Sequence, residues 1–237
     1  MKGKAIFLIF LVIPWFPLEA SDKDTLQVGN VREKPFLKKQ ILPVSLITAG
    51  SLLNVGKIKY DIHDFFPDTD CSIDDYFRFV PMAQMYGYDL LGFRHANTVF
   101  DQSKYLFFSQ LVSSMVVYSL KSLAATEPPR GTGLSFPSGH TAVAFAGATV
   151  LFHEFKDSEP LLACSGFVFA TATGLLRITN NDHWLPDVLV GAGIGMLSAN
   201  LVYHVKPLKN WHPFRSNRNI TLTPALSPHS FSLVCRF

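Results

Sequence analysis

Six apolar stretches, at about residues 41–55, 79–97, 104–125, 141–153, 161–176 and 185–204, decide most of what this chain can fold into. Each is long enough for a helix, and several approach the roughly 20 residues that cross a bilayer. The linking segments are short and no internal repeat is visible, which predicts one all-α bundle over residues 41–205. Small residues crowd the last three stretches, as in Gly191-Ala192-Gly193-Ile194-Gly195, where they let helix backbones approach closely. Of the 237 residues, 48% are hydrophobic and only 16% charged, which suits a membrane-associated bundle. A net charge of +3 without a basic-aromatic stripe argues against a nucleic-acid partner.

The ends add a topology. Residues 1–20 read as a secretory signal peptide or an uncleaved anchor: Met1-Lys2-Gly3-Lys4 is basic, Ala5 to Leu18 is apolar, and Ala20 is a small residue beside a cleavage point. Residues 21–40 form a polar N-terminal segment, and residues 206–237 a basic tail with five Lys or Arg and no acid. The positive-inside rule sends that tail to the cytoplasm. On this scheme residues 41–55 enter from outside and residues 56–76 face the cytoplasm. The stretch 79–97, with Arg78 at its edge and Gln84 and Arg94 within it, is then interfacial or re-entrant rather than a full span. Asp68, Asp70, Asp74 and Asp75 read as a solvated acidic loop, because the glycine and terminal Glu of an EF-hand are missing. Cys71, Cys164 and Cys235 support no disulfide framework. Phe231 to Phe237 alternates weakly, as a short strand or a disordered end would.

Chemistry concentrates in two histidine motifs. The first is Pro137-Ser138-Gly139-His140; the second runs from Arg177 through His183 to Asp187, with Lys121 and Arg130 upstream of both. A phosphate ester resists attack until its negative oxygens are neutralised by Lys, Arg and backbone N–H groups. An imidazole can then attack phosphorus and split one hard step into two. His183 and Asp187 stand at i and i+4, so on a helix starting near Asp182 or His183, capped by Asn181 or Asp182, they share a face. Asp187 would accept the Nδ1–H of His183 and leave Nε2 free to attack. Ser138 would cap the helix that follows it, Gly139 would let backbone approach an anion, and the helix N-terminus would favour that anion. His140, in this first turn, is placed to protonate a leaving oxygen. Arg177 could clamp phosphate oxygens bidentately. His153, His204 and His212 carry no such context and read as structural.

These residues resemble the signature of the type 2 phosphatidic acid phosphatase family, which shares its site with bacterial acid phosphatases and vanadium haloperoxidases. The family pattern is K-x6-R-P, then P-S-G-H, then S-R-x5-H-x3-D. P-S-G-H is complete here, and Arg177, His183 and Asp187 match the third motif, with Leu176 in place of its Ser. In the first motif Lys121 and Pro129 match, but Pro128 stands where Arg is expected and Arg130 comes two positions late. The resemblance covers roughly residues 80–205. It implies a helical bundle of the phosphatidic acid phosphatase/haloperoxidase type and a membrane phosphatase acting on a lipid or polyprenyl phosphate. Lipid A, undecaprenyl diphosphate and phosphatidylglycerol phosphate are substrates of that kind. His183 would be nucleophile, Asp187 its orienter and His140 the acid, with Lys121, Ser138, Gly139, Arg177 and Arg130 on the phosphate and no metal or other cofactor. The site would face the periplasm from a bacterial-type inner membrane. A soluble periplasmic acid phosphatase and a catalytically silent membrane interaction protein are the alternatives, and the oligomeric state is open.

Overall fold

The apolar stretches become helices, and their caps are local. In a computed structural model, which describes residues 36–55, 57–211, 221–227 and 230–236, the chain opens with α1 (Phe36–Lys39) and α2 (Ile41–Leu53). Two short helices follow, α3 (Ile58–His63) and α4 (Asp74–Phe77), and then α5 (Val80–Leu90). The long helices are α6 (Val99–Ala124), α7 (Gly139–Phe155), α8 (Pro160–Thr179) and α9 (Leu185–His204). Thr98 starts α6 by accepting the Asp101 N–H on its hydroxyl. Proline in the first turn of α5 and α8 lacks only an N–H that would have had no helical partner.

Helix α7 lies against α6, α8 and α9, and its small residues make that contact close. Ala142, Ala144, Ala146 and Ala148 are all buried. Facing them, a Cβ on Gly191 would overlap the Ser138 carbonyl oxygen at the head of α7. Gly193 meets α2 instead, where a Cβ would lie 2.6 Å from the Pro43 carbonyl oxygen. Helices α6, α8 and α9 are each long and apolar enough to cross a membrane. In their apolar windows 72% of α9 is buried against 22% of α6, so α9 belongs to the core while α6 turns an apolar face outward. The chain is accordingly a membrane protein.

The direction of α2 departs from the expected topology. Gly50, near its C-terminus, packs on Pro186 and Val190 at the start of α9, while Lys39 and Gln40, just before α2, bond Asn200 near the end of α9. Helix α2 therefore runs toward the end of the bundle that holds the two motifs, and residues 57–78 lie at that end rather than opposite. Thr69 bonds Thr179 and Asn180, and His63 bonds Asn181. The stretch 79–97 is helical only over α5, about 16 Å of rise, well short of the roughly 30 Å hydrocarbon core. It brings the chain back to Glu154 at the opposite end, where Ala96 and Asn97 bond that residue.

The chain divides after His204 into two compact units. The second contains α10 (Lys206–Lys209) and an antiparallel hairpin of β1 (Thr221–Ser227) and β2 (Ser230–Arg236), so the alternating tail is strand. The signal or anchor over residues 1–20 lies outside the described residues, as does His212. His153 bonds Asn200 and stacks on Tyr203, and His204 stacks on Phe36, both structural roles.

Candidate active site

The end of α8 accounts for the spacing of the third motif. Asn181 adopts the left-handed conformation (φ 62°), its N–H bonds the Ile178 carbonyl, and the Asp182 N–H bonds the Arg177 carbonyl. This is a Schellman turn with Asn in the position usually held by glycine. The His183 N–H also reaches the Arg177 carbonyl, so the five residues between Arg177 and His183 fold the imidazole back beside the guanidinium. Asn181 and Asp182 thus end α8 and do not cap α9. Helix α9 starts at Leu185, later than expected, and Asp187 accepts the Trp184 N–H at 3.0 Å. That is the carboxylate half of a capping box, with Pro186 tolerated in the first turn.

Because His183 precedes the helix, Asp187 does not reach it directly. Their closest atoms, Nδ1 and Oδ2, are 3.7 Å apart. The hydroxyl of Ser135 fills the gap, bonding Asp187 Oδ2 and lying 3.3 Å from His183 Nδ1. A hydroxyl has one proton; with a carboxylate as the stronger acceptor, that proton goes to Asp187 and the oxygen receives Nδ1–H. Ser135 rather than Asp187 is thus the group beside Nδ1, and a hydroxyl that donates to Asp187 favours the tautomer with its proton on Nδ1. Burial holds the His183 imidazole below its ordinary value; the Asp187 carboxylate pulls it up and the Arg177 charge pushes it further down.

Lys121, Gly139, His140, Arg177 and His183 converge on one cavity of about 340 Å³, whose lower wall is Ser113, Val117 and Ala142. Beneath it, Val117, Ala142, Val190 and Ile194 pack together and hold α6, α7 and α9 in register. Lys121 Nζ bonds the Leu134 and Ser135 carbonyls at 2.6 and 3.2 Å, tying the end of α6 to the chain before the first motif. Arg177 bonds Asp74 at 2.8 Å and Asp182 at 2.9 Å through Nη1, while its Nε is buried without a partner.

Two expected phosphate ligands are placed otherwise. Ser138 is fully buried, bonds the Thr141 hydroxyl at 2.9 Å, and makes no side-chain cap. Its backbone N–H donates to the Asp187 carbonyl, so it joins α7 to α9. Arg130 does not line the cavity. Its guanidinium bonds the Asn180 carbonyl at 2.8 Å and sits 3.4 Å from Asp182, stapling the loop after α6 to the turn between α8 and α9. A surface turn offers it carbonyl and carboxylate partners before any ligand arrives.

Nor is the acidic segment a solvated loop throughout. Asp74 is 1% exposed and accepts from Arg177 and from Asn180, whose side chain also bonds Cys71. Asp75 lies 2.8 Å from His140 Nε2, and Arg78 Nη1 lies 2.7 Å from the same atom. The hydrogen bond with His140 holds the Asp75 carboxyl below its usual value. Asp74, Asp75 and His140 bring metal-ligating atoms within 4.8 Å of one another. Asp74 is already neutralised by Arg177, and Arg78 stands beside Asp75, so the donor set is poorly suited to a cation. Sequence reasoning missed Ser135, Asp74 and Asn180 as site residues, and it read Arg78 only as an interfacial charge. Ser135 stands two residues before the first motif, and that adjacency was its one signal.

Residues 92–211 match the sequence pattern of the PAP2 superfamily, half of the chain and all of its motifs. The chain belongs to the PAP2 superfamily. A lipid A 1-phosphatase of Porphyromonas gingivalis is 38% identical over 111 residues, which are 47% of this chain and 25% of that protein. The chain thus matches about a quarter of the length of that relative. Among solved structures, LpxE of Aquifex aeolicus is similar with a TM-score of 0.44 and 24% identity, over 56% of this chain and 84% of that one. A transmembrane PAP2-type phosphatidylglycerolphosphate phosphatase of Bacillus subtilis has a TM-score of 0.42 and 19% identity, over 73% and 99% of the two chains.

Proposed function

We propose that this PAP2 protein is a lipid phosphatase that works through a phosphohistidine, with the lipid A 1-phosphate group as its leading substrate. The observation that carries this is the convergence of His183, His140, Lys121 and Arg177 on one cavity at the head of α7. Lys121, the unpartnered Nε of Arg177 and the backbone at Gly139 hold the phosphate oxygens. His183 Nε2 attacks phosphorus while the P–O bond to the lipid breaks, and His140 gives its proton to the departing oxygen. Water, deprotonated by His140, then cleaves the P–N bond and releases inorganic phosphate. Positive charge comes from protein groups, so no step needs a metal. The substrate choice follows the name of the Porphyromonas relative; undecaprenyl diphosphate and phosphatidylglycerol phosphate are the other lipids to test.

Charge distribution supports a periplasmic site in an inner membrane. Lys38 and Lys39 lie at the end of the bundle away from the site, where α9 also hands over to the basic tail, and the positive-inside rule assigns that end to the cytoplasm. Phosphate release from a panel of these three lipids by the detergent-purified protein, with His183→Ala beside it, tests the reading. Release from at least one lipid, abolished in the variant and inhibited by orthovanadate, supports it. Release that survives His183→Ala overturns the mechanism, and release from none overturns the function.

A further inference from the structure

The first motif leaves the site short of positive charge. Pro128 occupies the position of the expected arginine and lines the cavity, and a proline ring offers no donor. Arg130 is stapled to Asn180 and Asp182. Arg177 carries one positive charge but already faces two carboxylates, Asp74 and Asp182, at 2.8 and 2.9 Å. Of the motif cations, this leaves Lys121 alone to offset a phosphate monoester that carries up to two negative charges.

Another guanidinium reaches the same cavity from outside the motifs, and from outside the span that matches the family. Arg78 follows α4. Its Nε donates to the Asp75 carbonyl at 3.1 Å, and its guanidinium carbon lies 4.7 Å from the centre of the Phe79 ring, which together fix the side chain. Its Nη1 projects to within 2.7 Å of His140 Nε2. The Asp75 carboxylate lies 2.8 Å from that same nitrogen and 3.9 Å from Arg78 Nη2. A carboxylate thus already contacts the histidine and lies beside the guanidinium that touches it. Asp75 is half-exposed and belongs to a four-residue helix, so an arriving phosphate can displace it.

We propose that Arg78 is a phosphate-binding residue, supplying from the segment before α5 the guanidinium that the first motif lacks at position 128. When phosphate replaces the Asp75 carboxylate, the Arg78 Nη groups bond its oxygens in the fork geometry that suits guanidinium, and His140 Nε2 is freed to face the leaving oxygen. This inference rests on the phosphatase reading above, and the test separates the two.

The test uses the full-length protein in detergent, with inorganic phosphate as the probe and the hydrolysed lipid as substrate. Arg78→Gln is expected to weaken phosphate binding, read as phosphate-dependent thermal stabilisation, by more than about tenfold. It should lower kcat/KM by about 100-fold, a typical loss for one group that stabilises transition-state charge. Arg78→Lys, which keeps the charge and loses the fork, should fall between. Arg94→Gln, at the far end of the bundle, should match wild type. Recovery of phosphate binding in Arg78→Gln with Pro128→Arg supports the assignment further. Wild-type phosphate affinity in Arg78→Gln overturns it, whatever happens to turnover, because a merely structural loss would show in the unliganded melting temperature. If the wild type binds phosphate through Arg78 but hydrolyses no lipid, the inference stands and the lipid reading falls. If lipid turnover is unaffected by Arg78→Gln, the reading stands and the inference falls.

Discussion

A single methyl group at Gly191 should disable this protein at a distance. Gly191 lies on α9, one turn past Asp187, with its Cα against the backbone of Ser138. A Cβ there would overlap the Ser138 carbonyl oxygen and lie 3.3 Å from the carbonyl carbon. Neither partner can yield cheaply, because the obstacle is backbone and Ser138 N–H is bonded to the Asp187 carbonyl. Restoring ordinary contact requires α7 and α9 to separate at their heads by on the order of 1 Å, a misplacement that costs roughly 100-fold in rate when it disturbs reacting groups. His140 rides on α7, while His183 and Asp187 ride with α9, so the separation opens the space between the proposed acid and the proposed nucleophile. Overpacking of this kind costs about 1–3 kcal/mol of stability. Gly87 is the built-in control, for a Cβ there meets nothing within 4 Å. Gly87→Ala should therefore be neutral or stabilising by up to about 1 kcal/mol, as alanine is in helices. Thermal melting in detergent and phosphate release are measured on both variants. A Gly191→Ala protein with wild-type turnover and melting temperature would refute the claim that this backbone contact sets the site.

Three further outcomes are expected. Ser135→Ala removes the hydroxyl between His183 and Asp187; a hydrogen bond to a charged group contributes about 1.5–3 kcal/mol, so kcat should fall roughly 10- to 150-fold, and steady-state kinetics check it. Asp74→Ala leaves Arg177 and Asn180 without their buried acceptor; Asp182 compensates in part, so a loss of about 2–3 kcal/mol should appear as a fall of about 5–10 °C in melting temperature. As the proposed nucleophile, His183 must be neutral to attack, so activity should fall as pH drops through its folded pKa. Burial lowers that pKa, so the acid limb of kcat/KM should lie below the ordinary imidazole value near 6.5. Below that ordinary value the unfolded chain binds a proton that folded His183 refuses, so stability also declines toward acid. An acid limb at or above pH 6.5 would contradict the burial argument.

Local chemistry was legible wherever a few consecutive residues carry it. The six apolar stretches matched helices to within a few residues, except that 79–97 is helical only over α5. The five-residue interval from Arg177 to His183 is one Schellman turn, and its meaning could be read as proximity even with the caps assigned to the wrong helix. What misled the reading was a start for α9 placed about two residues early: with His183 outside the helix, Asp187 cannot meet it face to face, and Ser135 enters. A topology with residues 41–55 entering from outside put residues 56–76 opposite the site, and the missing EF-hand residues made their acidic end read as a solvated loop. Burial of Asp74 against Arg177, 103 residues away, reverses that.

The sequence by itself determined the helical bundle and the absence of an arginine at position 128, because the length of an apolar stretch and the residues of a motif are properties of neighbouring residues; that the two histidine motifs meet was implied by the family resemblance. Only the tertiary structure decided the direction of α2, the intervention of Ser135, the diversion of Arg130 to the turn after α8 and the arrival of Arg78 beside His140. Those depend on which helices touch and at what depth. Glycines such as Gly191 and Gly193 set that depth through backbone contacts that no local pattern records.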